Sequence, residues 1–199
     1  MTRVSVAAAG FAISAAVSMG GFGPSPATIV ENQSSHGNLR ATATLVSCTE
    51  PGVPAGTATL VEESSEEGIK NVTVRLFVEN LTPGKHAVII HEVGACEPTC
   101  VAAGSHLELG PFGANVPVTA NHPFHSGDLI NVDVGNNGRG VMSHVTSRVA
   151  LSPGNLSVFD ADGASIVIHA LPDTYCSDPT DPNCAGGGRA ACGIIVPVQ

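Results

Sequence analysis

From about residue 41 onward, apolar and polar positions alternate in short runs. In Val72-Thr73-Val74-Arg75-Leu76-Phe77-Val78, every second residue is aliphatic. A period of two is the signature of a strand with one buried and one wet face. Comparable runs rich in Val, Ile, Leu and Ala occupy 41–46, 55–61, 87–93, 129–134, 141–151, 165–169 and 193–198. Turn-formers such as Pro51-Gly52 and Pro83-Gly84 separate the earlier runs, and Asn136-Asn137-Gly138 is a hairpin signal between two later ones. Helical spacing is almost absent, and two long stretches, 94–126 and 171–188, carry neither period. Eight strands with two long loops predict an all-β antiparallel barrel or sandwich. Loops of that length are commonly functional, disordered or covalently tied.

The ends and the composition narrow the class. Arg3 precedes a short apolar stretch over 4–17, and Ala16-Val17-Ser18 offers small residues where a signal peptidase cuts. We read 1–20 as a signal peptide and expect a secreted, extracellular protein. The stretch is shorter than the ~20 residues of a membrane span. Residues 21–39 are rich in Gly, Pro, Ser and Asn, and read as a flexible leader in which His36 is a solvated side chain. The remainder, 40–199, fits one domain. Eight basic and 17 acidic side chains give a formal charge of −9, which argues against nucleic acid or an anionic membrane as partner. The same charge repels small anions at long range, so anion chemistry would need a local positive group. Six cysteines, in a chain expected to be exported, read as disulfides. Sequons at Asn32, Asn71, Asn80 and Asn155 read as candidate glycosylation sites.

Five of the eight histidines, His91, His106, His122, His125 and His169, fall in or beside the long loops. Imidazole suits copper and zinc, and a neighbouring carboxylate favours zinc. His125-Ser126-Gly127-Asp128 supplies such a pair across a tight turn, although the spacing alone is a weak signal. Five segments occur in order: Pro83-Gly84-Lys85-His86-Ala87-Val88-Ile89-Ile90-His91-Glu92-Val93-Gly94, Ala103-Gly104-Ser105-His106, His125-Ser126-Gly127-Asp128-Leu129, Val167-Ile168-His169 with Asp173, and Gly187-Gly188-Arg189-Ala190-Ala191-Cys192-Gly193-Ile194-Ile195. As a set they resemble the copper/zinc superoxide dismutases over about residues 40–199.

The resemblance implies an eight-stranded Greek-key β-barrel, copper and zinc as cofactors, superoxide as substrate, and a homodimer as one assembly open to the chain. It makes His91, His106 and His169 copper ligands, with His106 bridging to a zinc held by His125 and Asp128. Asp173 would link the two sites through hydrogen bonds, and Arg189 would attract the anion beside the copper. Cys100 with Cys192 would tie the first long loop to the barrel. Cys176 with Cys184 would then close a short loop, and Cys48 with Cys96 would remain.

Two departures bear on activity. The family has a copper histidine where this chain has Ile89, two residues before His91 and therefore on the same strand face. His86 is five positions from His91, on the opposite face, and takes the structural role that the family gives a histidine there. The family's middle zinc histidine would fall near 114–116, where there is none; His122 is the nearby substitute, read either as a fourth zinc ligand or as a surface residue. His144 reads as exposed and without a role. Two functions follow: a dismutase slowed by the lost ligand, or an inactive secreted barrel that binds copper or serves as a binding or structural module.

Overall fold

A computed structural model describes residues 38–65, 67–110, 122–176, 181 and 183–199. The expected signal segment, the leader up to residue 37 with His36 and Asn32, and the 114–116 positions lie outside the described residues. Among the described residues, no helix is long and apolar enough to cross a membrane.

The described residues form ten strands: β1 (Leu39–Ser47), β2 (Pro54–Ser64), β3 (Lys70–Val78), β4 (Gly84–His86), β5 (Val88–His91), β6 (Val132–Val134), β7 (Gly140–Thr146), β8 (Ser165–His169), β9 (Arg189–Ile194) and β10 (Val196–Pro197). All their pairings are antiparallel, and the main path runs β4-β6-β7-β3-β2-β1-β9-β8-β5, with β10 on β1. Strands β4 and β5 occupy opposite ends of this path, yet only Ala87 separates them in sequence. Ala87 donates its N–H to Leu171 O and accepts from His169 N–H. The two edges therefore meet at one residue, and the sheet nearly closes into a barrel. Two strands are added to the eight expected: β4 forms just before the 87–93 run, where the chain passes from one edge to the other, and the 193–198 run divides between β9 and β10. The step from β3 to β4 passes over β7 and β6, which is the Greek-key connection.

The predicted alternation holds in β3, where Val72, Val74, Leu76 and Val78 are all but fully buried. Ala41, Ala43 and Leu45 of β1, Ala58 and Leu60 of β2, and Ile166 and Ile168 of β8 complete the inward-facing set. An aliphatic core suits a sequence without tryptophan, because β-branched side chains fill the pleat in few rotamers. The same alternation corrects the reading of His144. It shares its β7 face with buried Met142 and Thr146, and is half-buried rather than exposed.

The cysteines pair as Cys48–Cys100, Cys96–Cys192 and Cys176–Cys184. The last matches the expectation, but the expected Cys100–Cys192 and Cys48–Cys96 bridges do not form. Loop geometry explains the exchange. Ser165 Oγ donates to Val93 O at 2.6 Å and holds the start of the loop against β8, whose Val167 is in register with Cys192. Cys96, at the loop's beginning, is thus the cysteine beside β9. Cys100 opens a short 3-10 turn (Cys100–Ala103) further on and meets Cys48, just beyond β1, which donates its N–H to Ala190 O. The two bridges, with Ala103 and Val167, make a small apolar cluster apart from the barrel core.

Peptide mapping without reduction is expected to recover the Cys48–Cys100 and Cys96–Cys192 pairs. The bridges span sequence separations of 96 for Cys96–Cys192 and 8 for Cys176–Cys184. Loop-closure entropy then ranks the cost of replacing each pair with alanine at about 4–5 and about 2–3 kcal/mol. Denaturant titrations showing equal losses would refute that ranking.

Candidate metal centre

Strand β5 is the spine of the site. On one edge it pairs with β8, with Ile89 opposite Val167 and His91 opposite Ser165. On its other edge it binds two loop segments. Leu107 N–H donates to Ile90 O and Ile90 N–H donates to Gly127 O, while Glu92 N–H reaches Ser105 O and Leu129 N–H reaches Val88 O. Isolated bridges follow, placing His91 opposite His106 and Ile89 opposite Asp128. Gly127 is required here by close approach: a Cβ on it would lie 2.1 Å from Ile90 O. Backbone pairing thus delivers His106, His125, Asp128 and His169 to the strand that carries His91.

Those side chains form two buried clusters that share His106. His91, His106 and His169 make the first; His106, His122, His125 and Asp128 make the second. Within each cluster the donor atoms all lie within 4.8 Å of one another. His122 therefore joins the second cluster and is 4% exposed, so it is not a surface residue. The structure brings together every expected ligand among its described residues.

Carbonyl acceptors fix the rings of the first cluster. His91 Nδ1 donates to Gly104 O at 3.0 Å and His169 Nδ1 donates to Gly187 O at 2.9 Å. A carbonyl only accepts, so each Nδ1 carries a hydrogen. Both rings are held neutral. Burial, then the neighbouring His106, pushes His91 down to about 2, with His169 and Arg189 adding to the effect and the Gly104 bond opposing it. Burial, then His106 and Arg189, lowers His169 to about 4 against the opposing Gly187 bond and Asp173. Both Nε2 atoms therefore present lone pairs, 3.3 Å apart. Two converging lone pairs in a buried site repel unless a cation lies between them, so the first cluster fits a nitrogen-preferring metal such as copper.

The second cluster centres on Asp128. Its Oδ1 accepts from His106 Nδ1 at 2.9 Å, and its Oδ2 accepts from the backbone N–H and the Nδ1 of His125, both at 2.9 Å. Burial would raise this carboxyl, but the histidine hydrogen bonds outweigh it and hold it well below the usual carboxylate range. His122 Nε2 donates to Asp173 Oδ1 at 3.0 Å. Its Nδ1 is buried without a hydrogen bond, although Asp128 Oδ2 lies only 3.3 Å away. An orphaned imidazole nitrogen facing a carboxylate, with two further imidazoles, is the donor chemistry of a tetrahedral zinc site. A proton can serve in the metal's place. Burial opposes it, but the Asp128 and Asp173 carboxylates on either side raise His122 to about 9.

Asp173 accepts from His122 of the second cluster and makes no hydrogen bond to the first among the described residues, so only one half of the expected link is present, and its setting was not visible in the sequence. Asn131 accepts from Asp173 N–H at 2.8 Å and donates to Asp173 O at 2.9 Å, while Tyr175 N–H donates to Asp173 Oδ1 at 2.6 Å. The only sequence signal for Asn131 is its place just after the His125–Asp128 segment. Asp173 Oδ2 is buried without a partner. Arg189 projects from the start of β9, and its guanidinium donates to Cys100 O and Gly104 O. Its positive charge depresses both His91 and His169. Gly104 thus accepts from a cluster histidine and from the arginine together, and does so at φ +75°, a region that favours glycine. His86 plays its structural part on the opposite face: its ring bonds His169 O at 2.7 Å and Thr82 O at 2.8 Å. Ile89 is fully buried on the His91 face and offers no donor.

The opposed histidine shifts set the pH dependence of the metal-free protein. His91 and His169 have folded values below that of the unfolded chain, so their contribution is present above about pH 6.5 and is lost as pH falls toward 4, at up to about 1.4 kcal/mol per unit for each group. His122 has a raised folded value, so its contribution is complete below about pH 6.5 and is lost as pH rises toward 9. Stability of the metal-free protein is expected to peak near pH 6.5. Urea midpoints measured from pH 4 to 9 in the presence of a chelator check this, and a flat or monotonic profile contradicts it.

Comparison with known proteins agrees with this geometry. The family described as copper/zinc superoxide dismutase (SODC) matches residues 54–195. The Cu-Zn superoxide dismutase of Caulobacter vibrioides is 34% identical over 149 residues, covering 72% of this chain and 79% of that protein. That of Deinococcus radiodurans is 30% identical over 169 residues, covering 76% and 89%. Among solved structures, a SOD-like protein from Bacillus subtilis aligns with a TM-score of 0.60 at 25% identity, covering 78% of this chain and 97% of that one. A double mutant of a SOD-like protein from the same organism gives 0.58 at 28%, covering 77% and 95%. The chain belongs to the copper/zinc superoxide dismutase family.

Proposed function

We propose that this protein dismutates superoxide to oxygen and hydrogen peroxide at a copper site held by three imidazoles, and that it does so slowly. The observation that carries the reading is the convergence of His91, His106 and His169 beside the Arg189 guanidinium. Copper, when bound, supplies the redox step, oxidising one superoxide and reducing a second, with two protons, to hydrogen peroxide. The side chains do the rest. Arg189 provides the local positive charge that a chain of net charge −9 otherwise lacks for an anionic substrate. No carboxylate pairs with it among the described residues, so its charge is not neutralised. His106 belongs to both clusters: with Nδ1 committed to the Asp128 side, its Nε2 is the atom that can hold a proton on the copper side and return it. His122, His125 and Asp128, with His106, would hold zinc and so fix the bridging ring. Asp173, through His122, steadies the second cluster.

Ile89 is the reason for a low rate. Copper(II) favours a tetragonal set of nitrogens, and an aliphatic side chain supplies none. Changes one shell further out already cost about 10- to 100-fold in affinity or activity, and a missing ligand costs at least that. The same residue favours the second reading, a barrel that binds copper without turnover.

Copper and zinc per chain, together with dismutation, should be measured in the oxidised protein before and after Ile89→His. We expect copper uptake and slow turnover in the wild type, with affinity and rate rising about 10-fold or more in the variant. A wild type that takes up no copper at saturating metal removes the enzyme. Copper bound without turnover in either form supports the binding barrel.

A further inference from the structure

We infer that Arg148, outside both ligand clusters, is a positioning residue for the second one. It follows the last residue of β7, Thr146, by two positions, and its own N–H donates to Thr146 Oγ1 at 3.1 Å. Its guanidinium forks toward the His125–Asp128 turn. Nη1 donates to His125 O at 2.9 Å, and Nη2 donates to Asp128 O. The two carbonyls belong to the first and last residues of the turn, whose side chains are two of the four members of the cluster.

Within the turn, the Asp128 side chain closes back on the first residue, its Oδ2 accepting from His125 N–H at 2.9 Å. Asp128 N–H reaches back to His125 O at 3.2 Å, a long contact, and Gly127 is pinned from the strand side by Ile90 N–H and Leu107 O. Among the described residues Asp128 O accepts from no backbone N–H, so Arg148 is what holds this carbonyl, while the N–H of the same peptide, on Leu129, reaches Val88 O. A planar guanidinium fixes two acceptors in a set relation to one another, which a single ammonium does not. Here that relation is the one between the His125 and Asp128 backbones, and hence between Nδ1 and the carboxylate that both face the orphaned His122 Nδ1. A positive charge near a cation site by itself weakens cation binding, so the residue's contribution is geometric.

This inference rests on the zinc half of the proposed function, and the test separates the two. The oxidised, full-length protein and its Arg148→Met and Arg148→Lys variants are titrated with zinc against a chromophoric chelator. Cobalt(II) is bound in the same site, its visible bands reporting the coordination geometry, and the melting temperature of each metal-free form is recorded. Arg148→Met keeps the stem and removes the fork; zinc affinity is expected to fall about 10- to 100-fold and the cobalt bands to shift. Arg148→Lys keeps the charge and one contact, and is expected to lose less. A lowered melting temperature with unchanged zinc affinity and cobalt bands overturns the inference and leaves Arg148 a structural residue only. Tighter zinc binding in Arg148→Met also overturns it, since charge repulsion would then dominate. If Arg148→Met does not fold, Arg148→Lys decides, with unchanged affinity and bands counting against the inference. A wild type that takes up no zinc at all overturns the zinc reading itself.

Discussion

Everything at the metal centre depends on β5 being hydrogen-bonded along both edges. A four-residue strand is short, and its outer edge would ordinarily be a liability. Here that edge is covered by segments that contain ligands, so the bonds that complete the sheet also assemble the site. Leu107 N–H to Ile90 O and Ile90 N–H to Gly127 O bring His106 and the His125–Asp128 turn against His91. On the other edge, β8 ends at His169. A shift of one residue in any of these registers would turn a ligand to the opposite face. The aliphatic residues that alternate with the ligands prevent such a shift, because Val88 and Ile90 are locked in the barrel core.

The loop that carries His106 is held as firmly as the strand. Two disulfides join it to β9 and to the end of β1, and the Arg189 guanidinium binds its carbonyls at Cys100 and Gly104. Gly104 O then sets the tautomer of His91. Covalent anchoring, guanidinium position and ligand protonation are thus coupled through one peptide. A disturbance of the loop would reach the Arg189 guanidinium and the histidine cluster together.

Much of this was legible in the sequence, and the reasons are local. Strand alternation placed Ile89 and His91 on one face and His86 on the other, because period two is a property of the backbone. The ligand segments were recognisable because each packs its ligands into a few residues. Non-local choices were not legible. Which cysteine of Cys96 and Cys100 meets Cys192 depends on how the loop leaves β5, and both lie within reach in sequence. The split at Ala87 depends on barrel closure, which no single run reveals. His122 read equally well as a surface residue because its partners, Asp128 and Asp173, approach from either side only after folding. Asn131 and Arg148 act on backbone carbonyls and amides, and such contacts leave no pattern in side-chain chemistry.

Ile89 shows how the centre balances folding against metal. It is fully buried, opposite Val167, which belongs to the apolar cluster around the Cys96–Cys192 bridge. An imidazole there would need a metal or a hydrogen-bond partner for each ring nitrogen, or the metal-free fold would carry the cost of an unsatisfied buried polar group. An isoleucine is satisfied by packing alone. With three disulfides and an aliphatic side chain at this position, the metal-free barrel carries no unsatisfied polar group at residue 89. The remaining histidines still converge, so the isoleucine withholds a nitrogen donor while leaving the three-imidazole cluster intact.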